Sequence, residues 1–247
     1  MAELVLETKE LTKQYGDFVA AEKVTFNLEK GVIFGFLGAN GAGKTTVMRM
    51  LCGLSLPTSG TASVAGFDIY KQNEEIKKHI GYMSQKFCLY EDLTIRENIT
   101  LYGGIYGLKR SDIKERADKL IKSLSMEAEA DKLVHGLPLG WKQKLAFSIA
   151  IFHEPKIVFL DEPTGGVDPI TRRQFWEMIY ETSAKGITIF ATTHYMDEAE
   201  YCNRVAIMVD GRIEALDSPA GLKKTHNQKT MDGVFYELAR KAKRAAE

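Results

Sequence analysis

The sequence predicts an α/β protein built on one mostly parallel sheet, with an all-helical lobe inserted into it. Three observations carry this. A glycine-rich turn, Gly38 to Gly43, joins an apolar run, Val32 to Leu37, to a helical pattern, Thr45 to Leu54. Two continuous apolar runs, Lys156 to Leu160 and Ile187 to Thr192, alternate with helical stretches, as buried parallel strands do. From Lys86 to about Phe152 strand patterns stop and helical ones take over.

The glycine-rich turn sets the chemistry. Gly38-Ala39-Asn40-Gly41-Ala42-Gly43-Lys44-Thr45-Thr46 fills every fixed position of G-x-x-x-x-G-K-[ST], between a strand and a helix. Its glycines let the backbone wind around an anion and turn its N–H groups inward. The helix that follows adds its positive end. Lys44 is placed to reach β- and γ-phosphates, and the Thr45 hydroxyl to ligate Mg²⁺.

The N-terminal part reads as strands at Leu4–Thr8 and Val24–Leu28, with Lys13 to Asp17 between them. Tyr15 reads there either as a half-buried strand aromatic or as a stacking surface for an adenine. Beyond the loop helix come a short strand at Thr61–Val64, a turn at Gly66–Asp68 and a helix at Asn73–Lys78. A strand at Ile80–Met83 then ends at Ser84-Gln85, whose amide can ligate a metal or a water.

In the helical stretch, Leu93 to Ile99 begins a helix. Ser111 is the expected N-cap of a second, Asp112 to Ser125, whose apolar positions repeat at helical spacing. Leu137-Pro138-Leu139-Gly140-Trp141-Lys142-Gln143 leads into a helix expected over Lys144 to Phe152. The strand Lys156–Leu160 delivers Asp161-Glu162 at its C-terminal end, where open α/β sheets bind ligands. Adjacent carboxylates there are costly unless they serve a metal or a proton. Asp161 is suited to hold Mg²⁺ directly or through water, and Glu162 to polarise an attacking water.

After a loop, Pro163 to Pro169, a helix runs from about Thr171 to Ala184. The strand Ile187–Thr192 then ends in Thr193-His194, a histidine placed to sense a γ-phosphate. The other histidines read as surface or packing residues. Met196–Cys202 reads as a helix, Arg204–Val209 and Arg212–Leu216 as a hairpin around Asp210-Gly211, and Ser218 as the start of a C-terminal helix.

Composition narrows the class. The chain has 247 residues, 33 basic and 33 acidic, so its zero net charge gives no reason to expect a nucleic-acid partner. Cys52, Cys88 and Cys202 form no disulfide or metal framework, which points to a reducing cytosol. No secretory signal pattern opens the chain, and no apolar run approaches the roughly 20 residues that span a bilayer. The chain is expected to dock on a membrane rather than cross it.

Taken in order, these residues resemble the nucleotide-binding subunit of an ABC transporter, over about residues 4 to 240. Gly38 to Thr45 is similar to the Walker A loop, Ile157 to Glu162 to Walker B, Gln85 to the Q-loop glutamine and His194 to the switch histidine. Tyr15 falls at the adenine-stacking aromatic, Asp168 at the D-loop aspartate, and Leu137, Pro138, Leu139, Gly140 and Gln143 at the signature. The stretches around Asp161–Pro169 and Ala191–Glu200 look like the ABC-2-type exporter group.

The resemblance implies a P-loop NTPase core, the ABC ATPase fold, as a single domain with an antiparallel N-terminal β subdomain. Its RecA-like and β lobe would cover about 1–85 and 153–218, the helical lobe about 86–152 and a helical tail about 219–247. It implies ATP and Mg²⁺ as ligands, with Thr45, Gln85 and Asp161 at the metal and Glu162, His194 and Gln85 at the reacting phosphate. It also implies a second ATPase subunit, identical or not, closing head to tail, and integral membrane permease subunits as partners. The chain would then sit peripherally on the cytoplasmic face of the membrane. One departure stands out: the family's Leu-Ser-Gly-Gly-Gln reads here Leu137-Pro138-Leu139-Gly140 and then Trp141. Loss of the serine hydroxyl should weaken closure by roughly 1.5–3 kcal/mol. Two other readings remain: a degenerate, non-hydrolytic partner in an asymmetric dimer, and a soluble ABC ATPase not tied to transport. The latter's relatives carry coiled coils, zinc modules or tandem nucleotide domains, which this chain lacks.

Overall fold

The chain opens with a long antiparallel hairpin, β1 (Leu4–Tyr15) and β2 (Phe18–Glu29), closed by a two-residue turn with Gly16 in the left-handed region. The computed structural model describes residues 3–85 and 89–245. The expected start of the helical lobe at 86, Cys88, and the chain ends 1–2 and 246–247 lie outside the described residues. Both hairpin strands are longer than the sequence predicts. Glu10 and Lys23 have positive φ, and the pairing register shifts along the strands. Such bulges break the alternation by which a strand is recognised.

β3 (Ile33–Leu37) leads into the glycine-rich loop and α1 (Lys44–Leu51). β4 (Ser59–Val64), β5 (Phe67–Asp68), α2 (Asn73–His79) and β6 (Ile80–Met83) follow. Next come the helices α3 (Ile95–Ile105), α4 (Arg110–Ser123) and α5 (Leu139–Ala150). β7 (Ile157–Asp161), α6 (Pro169–Ala184), β8 (Thr188–Thr193), β9 (Arg204–Val209) and β10 (Arg212–Asp217) complete the sheet region. α7 (Pro219–Thr225) and α8 (Met231–Ala245) end the chain. None of the helices among the described residues is long and apolar enough to cross a membrane.

The strands form two sheets. One is antiparallel, ordered β2-β1-β4-β5; the other is ordered β10-β9-β3-β8-β7-β6 and is parallel except for β10 at its edge. The parallel strands are buried on both faces, which explains their unbroken apolar sequence. Their alternate residues divide two cores. Phe34, Phe36, Phe159 and Phe190 face the antiparallel sheet and α1, where they meet Phe26. Ile33, Leu37, Val158, Leu160 and Ile189 face α5 and α6.

Four helical segments differ from expectation. Ser111 does not cap α4; the helix starts at Arg110, and the Ser111 hydroxyl donates to Asp112 instead. α3 is the helix of the lobe with full end chemistry, since Thr94 and Glu97 bond each other's backbone N–H groups. α5 begins at Leu139, five residues before the expected Lys144. Gly140 weakens a helix start by propensity, but α6 packs so closely there that a Cβ would lie 2.5 Å from the Thr171 methyl. The segment expected as a helix at Met196–Cys202 is a 3-10 turn over Met196–Tyr201, and the expected single C-terminal helix is the pair α7 and α8, with Asn227 left-handed at the break. Ser218 does cap α7, accepting from the Gly221 N–H. Cys52 and Cys202 are buried and unbridged.

Two expectations follow from this packing. Phe190 has ring centroids of Phe26, Phe34, Phe36 and Phe159 within 5.3–6.1 Å and is fully buried. Phe190→Ala should cost about 3–5 kcal/mol in urea unfolding; a loss under about 1 kcal/mol would show that the two sheets do not depend on this layer. His153 stacks on Tyr106 at 3.7 Å and its Nε2–H donates to the Ile80 carbonyl. Burial pushes its pKa down to about 4 from 6.5, so the folded state holds the ring neutral. The unfolded chain takes up that proton first. The stabilisation is therefore complete above about pH 6.5 and is lost as pH falls toward about 4. Urea midpoints measured over that window should fall less steeply for His153→Gln than for the parent; parallel curves would remove His153 as the cause.

Candidate functional site

The C-terminal ends of β3, β6, β7 and β8 lie side by side, because the parallel register pairs Leu37 with Thr193, Asp161 with Thr192 and Met83 with Leu160. Each strand end hands one functional segment to the same edge: the glycine-rich loop, Gln85, the Asp161-Glu162 pair and His194.

Gly43 closes the loop at φ 101°, and a Cβ there would meet the Ala20 carbonyl oxygen at 2.2 Å, so both its conformation and its room require glycine. α1 starts at the next residue with no side-chain cap and no acidic residue in its first turn, leaving its N–H groups to an outside acceptor. Lys44 is buried and curls back over the loop, donating to the carbonyls of Gly38 (2.8 Å) and Ala39 (3.1 Å). Its Nζ lies 3.7 Å from Glu162 Oε1. Burial pulls the Lys44 pKa down, opposed by the charges of Glu162 and Asp161. An ammonium held over the loop beside free helix amides is a fitting cradle for an anion.

Glu162 adopts φ 48°, in the left-handed region, rare for a residue with a Cβ. Its N–H is held by both the carbonyl and the hydroxyl of Thr192, each at 3.1 Å. Three groups meet its carboxylate. Gln85 Nε2 donates to Oε2 at 2.9 Å, His194 Nδ1 lies 3.1 Å from the same oxygen, and Lys44 approaches Oε1. Buried Asp161 accepts the Thr192 hydroxyl at 2.6 Å, and both its oxygens lie 3.3–3.4 Å from Thr45 Oγ1. Thr45 and Asp161 thus bring oxygen donors together. Among the described residues no cluster of three or more His, Cys, Asp or Glu side chains surrounds a metal position. A cation held there would complete its shell from water and phosphate, which is how Mg²⁺ is bound. Gln85 is turned to Glu162, with its amide oxygen as its remaining metal-binding end.

A cavity of about 340 Å³ lies over the loop, walled by Asn40, Gly43, Lys44, Thr46, Gln85 and Glu162. Its aromatic wall is Phe18, 65% exposed, and not Tyr15. Tyr15 is its partner across the hairpin turn, 53% exposed, with the Lys13 ammonium 4.9 Å from its ring centroid. Sequence alone carries no signal separating the two rings; only the turn shows that both overhang the same end of the hairpin. A larger cavity, about 580 Å³, shares Asn40 and Gly41 but contains neither Lys44 nor Glu162; it runs under α8, along Phe235 and Tyr236. The polar site is the one that holds the chemistry.

The remaining candidates lie apart from the loop. Leu137 and Pro138 precede α5, and Leu139 and Gly140 open it. Leu139 lines a separate cavity of about 290 Å³ on the His194 side of Glu162. Gln143 is buried and turned to the chain's own loop, where its Nε2 donates to the Gly165 carbonyl at 3.2 Å. Asp168 caps α6: it accepts from the N–H groups of Ile170 and Thr171 and from the Thr171 hydroxyl at 2.6 Å, and these bonds hold its carboxyl below the usual range.

Comparison with known proteins agrees with this geometry. Residues 21–165 match the family described as ABC transporter. The chain is 45% identical over 241 residues to the probable multidrug ABC transporter ATP-binding protein YbhF of Escherichia coli (strain K12), covering 96% of this chain but spanning only 42% of that protein's length. It is 36% identical to the Nod factor export ATP-binding protein I of Cupriavidus metallidurans, over 87% of this chain and 71% of that one. A solved structure of an ATP binding subunit of an ABC transporter superposes with a TM-score of 0.85 at 30% identity, covering 95% of this chain and 99% of the other. With the phosphate loop, the strand-end acids and the histidine on one sheet edge, and with relatives of this kind along nearly its whole length, the chain belongs to the ABC transporter family and carries that family's ATPase domain.

Proposed function

We propose that the chain is the ATP-binding and ATP-hydrolysing subunit of a membrane exporter. The observation that carries this is the placement of Glu162 opposite Lys44, beside the Thr45–Asp161 oxygen pair. A triphosphate would lie on the amides at the start of α1. Lys44 would exchange the carbonyls of Gly38 and Ala39 for the β- and γ-phosphate oxygens. Thr45 and Asp161 would hold Mg²⁺, with Gln85 as a further oxygen, and the ion would neutralise charge on the leaving diphosphate. Glu162 orients a water and takes its proton as the water oxygen bonds to the γ-phosphorus and the bond to the β–γ bridging oxygen breaks. His194, 3.1 Å from Glu162, holds the transferred phosphate or the glutamate itself. Phe18, which walls the cavity, supplies a face for the adenine, with Tyr15 beside it across the hairpin turn.

In this reading two chains close head to tail, and the segment Leu137–Gly140 of one completes the site on the other. Within a single chain only Leu139 of that segment reaches a cavity among the described residues, one that includes Glu162 and His194 but none of the phosphate loop, which leaves the segment available to a second copy. ATP favours closure because only closure fills its ligand shell. Permease subunits of the ABC-2 type would receive the movement at the cytoplasmic face of the membrane; the multidrug and Nod factor export names of the relatives support export. A second reading, a non-hydrolytic partner in an asymmetric pair, is favoured by the missing signature serine. The intact Glu162–His194 pair speaks against it.

Lys44→Ala should weaken binding of a fluorescent ATP analogue at least about tenfold, the worth of a charge-assisted hydrogen bond; unchanged affinity would undo the site. Glu162→Gln with Mg-ATP should give a dimer by light scattering while the parent turns ATP over and stays mostly monomeric. A parent that binds ATP with no phosphate release would favour the second reading. A Glu162→Gln protein that remains monomeric at saturating ATP would count against closure.

A further inference from the structure

Glu198 is a fully buried carboxylate outside the chemistry above. It lies in the 3-10 turn that follows His194. Its Oε1 accepts the Thr164 hydroxyl and lies 3.7 Å from Arg172 Nε, while Oε2 has no hydrogen-bond partner among the described residues. Such a group is expensive: a buried carboxylate needs its lone pairs filled, and an apolar side chain of similar volume often serves stability as well. Its value lies in what it connects.

Two links leave Glu198. Thr164 stands two residues after Glu162, and the next carbonyl, Gly165, is the acceptor for Gln143 of α5. Arg172 stands in the first turns of α6, and its guanidinium lies 4.4 Å from the ring centroid of Tyr195, the neighbour of His194. The Glu198 N–H also bonds the Tyr195 carbonyl at 3.2 Å. One side of Glu198 is thus fixed to the strap carrying His194. The other is fixed to the loop that leads, through one more hydrogen bond, into the helix opened by Leu139 and Gly140.

We propose that Glu198 is a positioning residue that ties the His194 strap to the 163–168 loop and, through Gly165 and Gln143, to α5, so that occupancy of the chain's own phosphate site is transmitted to the segment it offers to the partner's site. This rests on the nucleotide reading above. The Thr164 and Tyr195 links are hydrogen bonds to a fully buried residue, so a shift of His194 toward a γ-phosphate moves the loop with it. In a dimer, each chain then reports the state of its own ATP to the signature segment that faces the other.

The test is amide hydrogen exchange on the full chain, with and without Mg-ATP, joined to steady-state kinetics. In the parent, Mg-ATP should slow exchange both at residues 38–46 and at 139–147. Glu198→Met keeps approximate volume and removes the acceptor of the Thr164 hydroxyl; Thr164→Val keeps shape and removes the hydroxyl. Both should keep ATP affinity and protection at 38–46, lose protection at 139–147, and lower kcat about tenfold with KM little changed. Thr164→Ser, which restores the hydroxyl, should behave as the parent. The proposal is overturned if Glu198→Met retains protection at 139–147, if Thr164→Ser is as impaired as Thr164→Val, or if the parent shows no ATP effect at 139–147. Should Glu198→Met fail to fold, the Thr164 pair decides alone. No protection at 38–46 in the parent would instead defeat the nucleotide reading, and this proposal with it.

Discussion

The site depends on opposite charges held inside one sheet edge. Lys44 is buried at a cost that lowers its pKa, and Glu162 and Asp161 oppose that cost. Each is bonded to its own surroundings, but their contacts with one another are long: Lys44 stands 3.7 Å from Glu162, and the Thr45 hydroxyl is at the long end of bonding distance from Asp161. Groups held this way are desolvated and aligned yet free to exchange partners. A polyanion with its cation can take over their contacts without rearranging the backbone, which is the meaning of preorganisation at such a site.

That alignment comes from the register of the sheet. A slip of one residue between β7 and β8 would turn Asp161 from the cleft to the opposite face and bury it in an apolar core. The aromatic layer on one face and the aliphatic layer on the other make such a slip costly, because every residue of both strands is packed. The left-handed backbone at Glu162 is the strained point in this arrangement, and Thr192 fixes it with two acceptors for one N–H. The core therefore supplies precision to the chemistry, and the strain sits where the chemistry is.

Beyond the edge, polar contacts bind the surrounding segments to each other. Gln143 holds α5 to the loop after Glu162, Asp168 caps α6, and Glu198 joins that loop to the His194 strap. The unusual Leu-Pro-Leu-Gly segment fits this frame. Pro138 takes the N-cap position, where no N–H is needed, and Gly140 lets α5 lie against Thr171. α5 thus starts without a side-chain cap and lies closest to α6 at Gly140.

The sequence by itself determined the order of strands and helices and the chemical parts of the site. Strand, glycine-rich turn and helix are local, and the apolar runs before Asp161 and His194 reflect burial on both faces of a sheet. What it misjudged were features decided at a distance. The room that only Gly140 leaves at the start of α5 is set by Thr171 of another helix, the failure of Ser111 as a cap by where α4 begins, and the extent of β1 and β2 by bulges that hide alternation. Whether Tyr15 or Phe18 walls the cavity, that Gln143 faces inward, and that Glu198 is buried at all were matters for tertiary structure, since a polar side chain's partner can lie tens of residues away and leaves no periodic trace in the chain. Local pattern reports what each segment prefers; only packing decides which groups share a space.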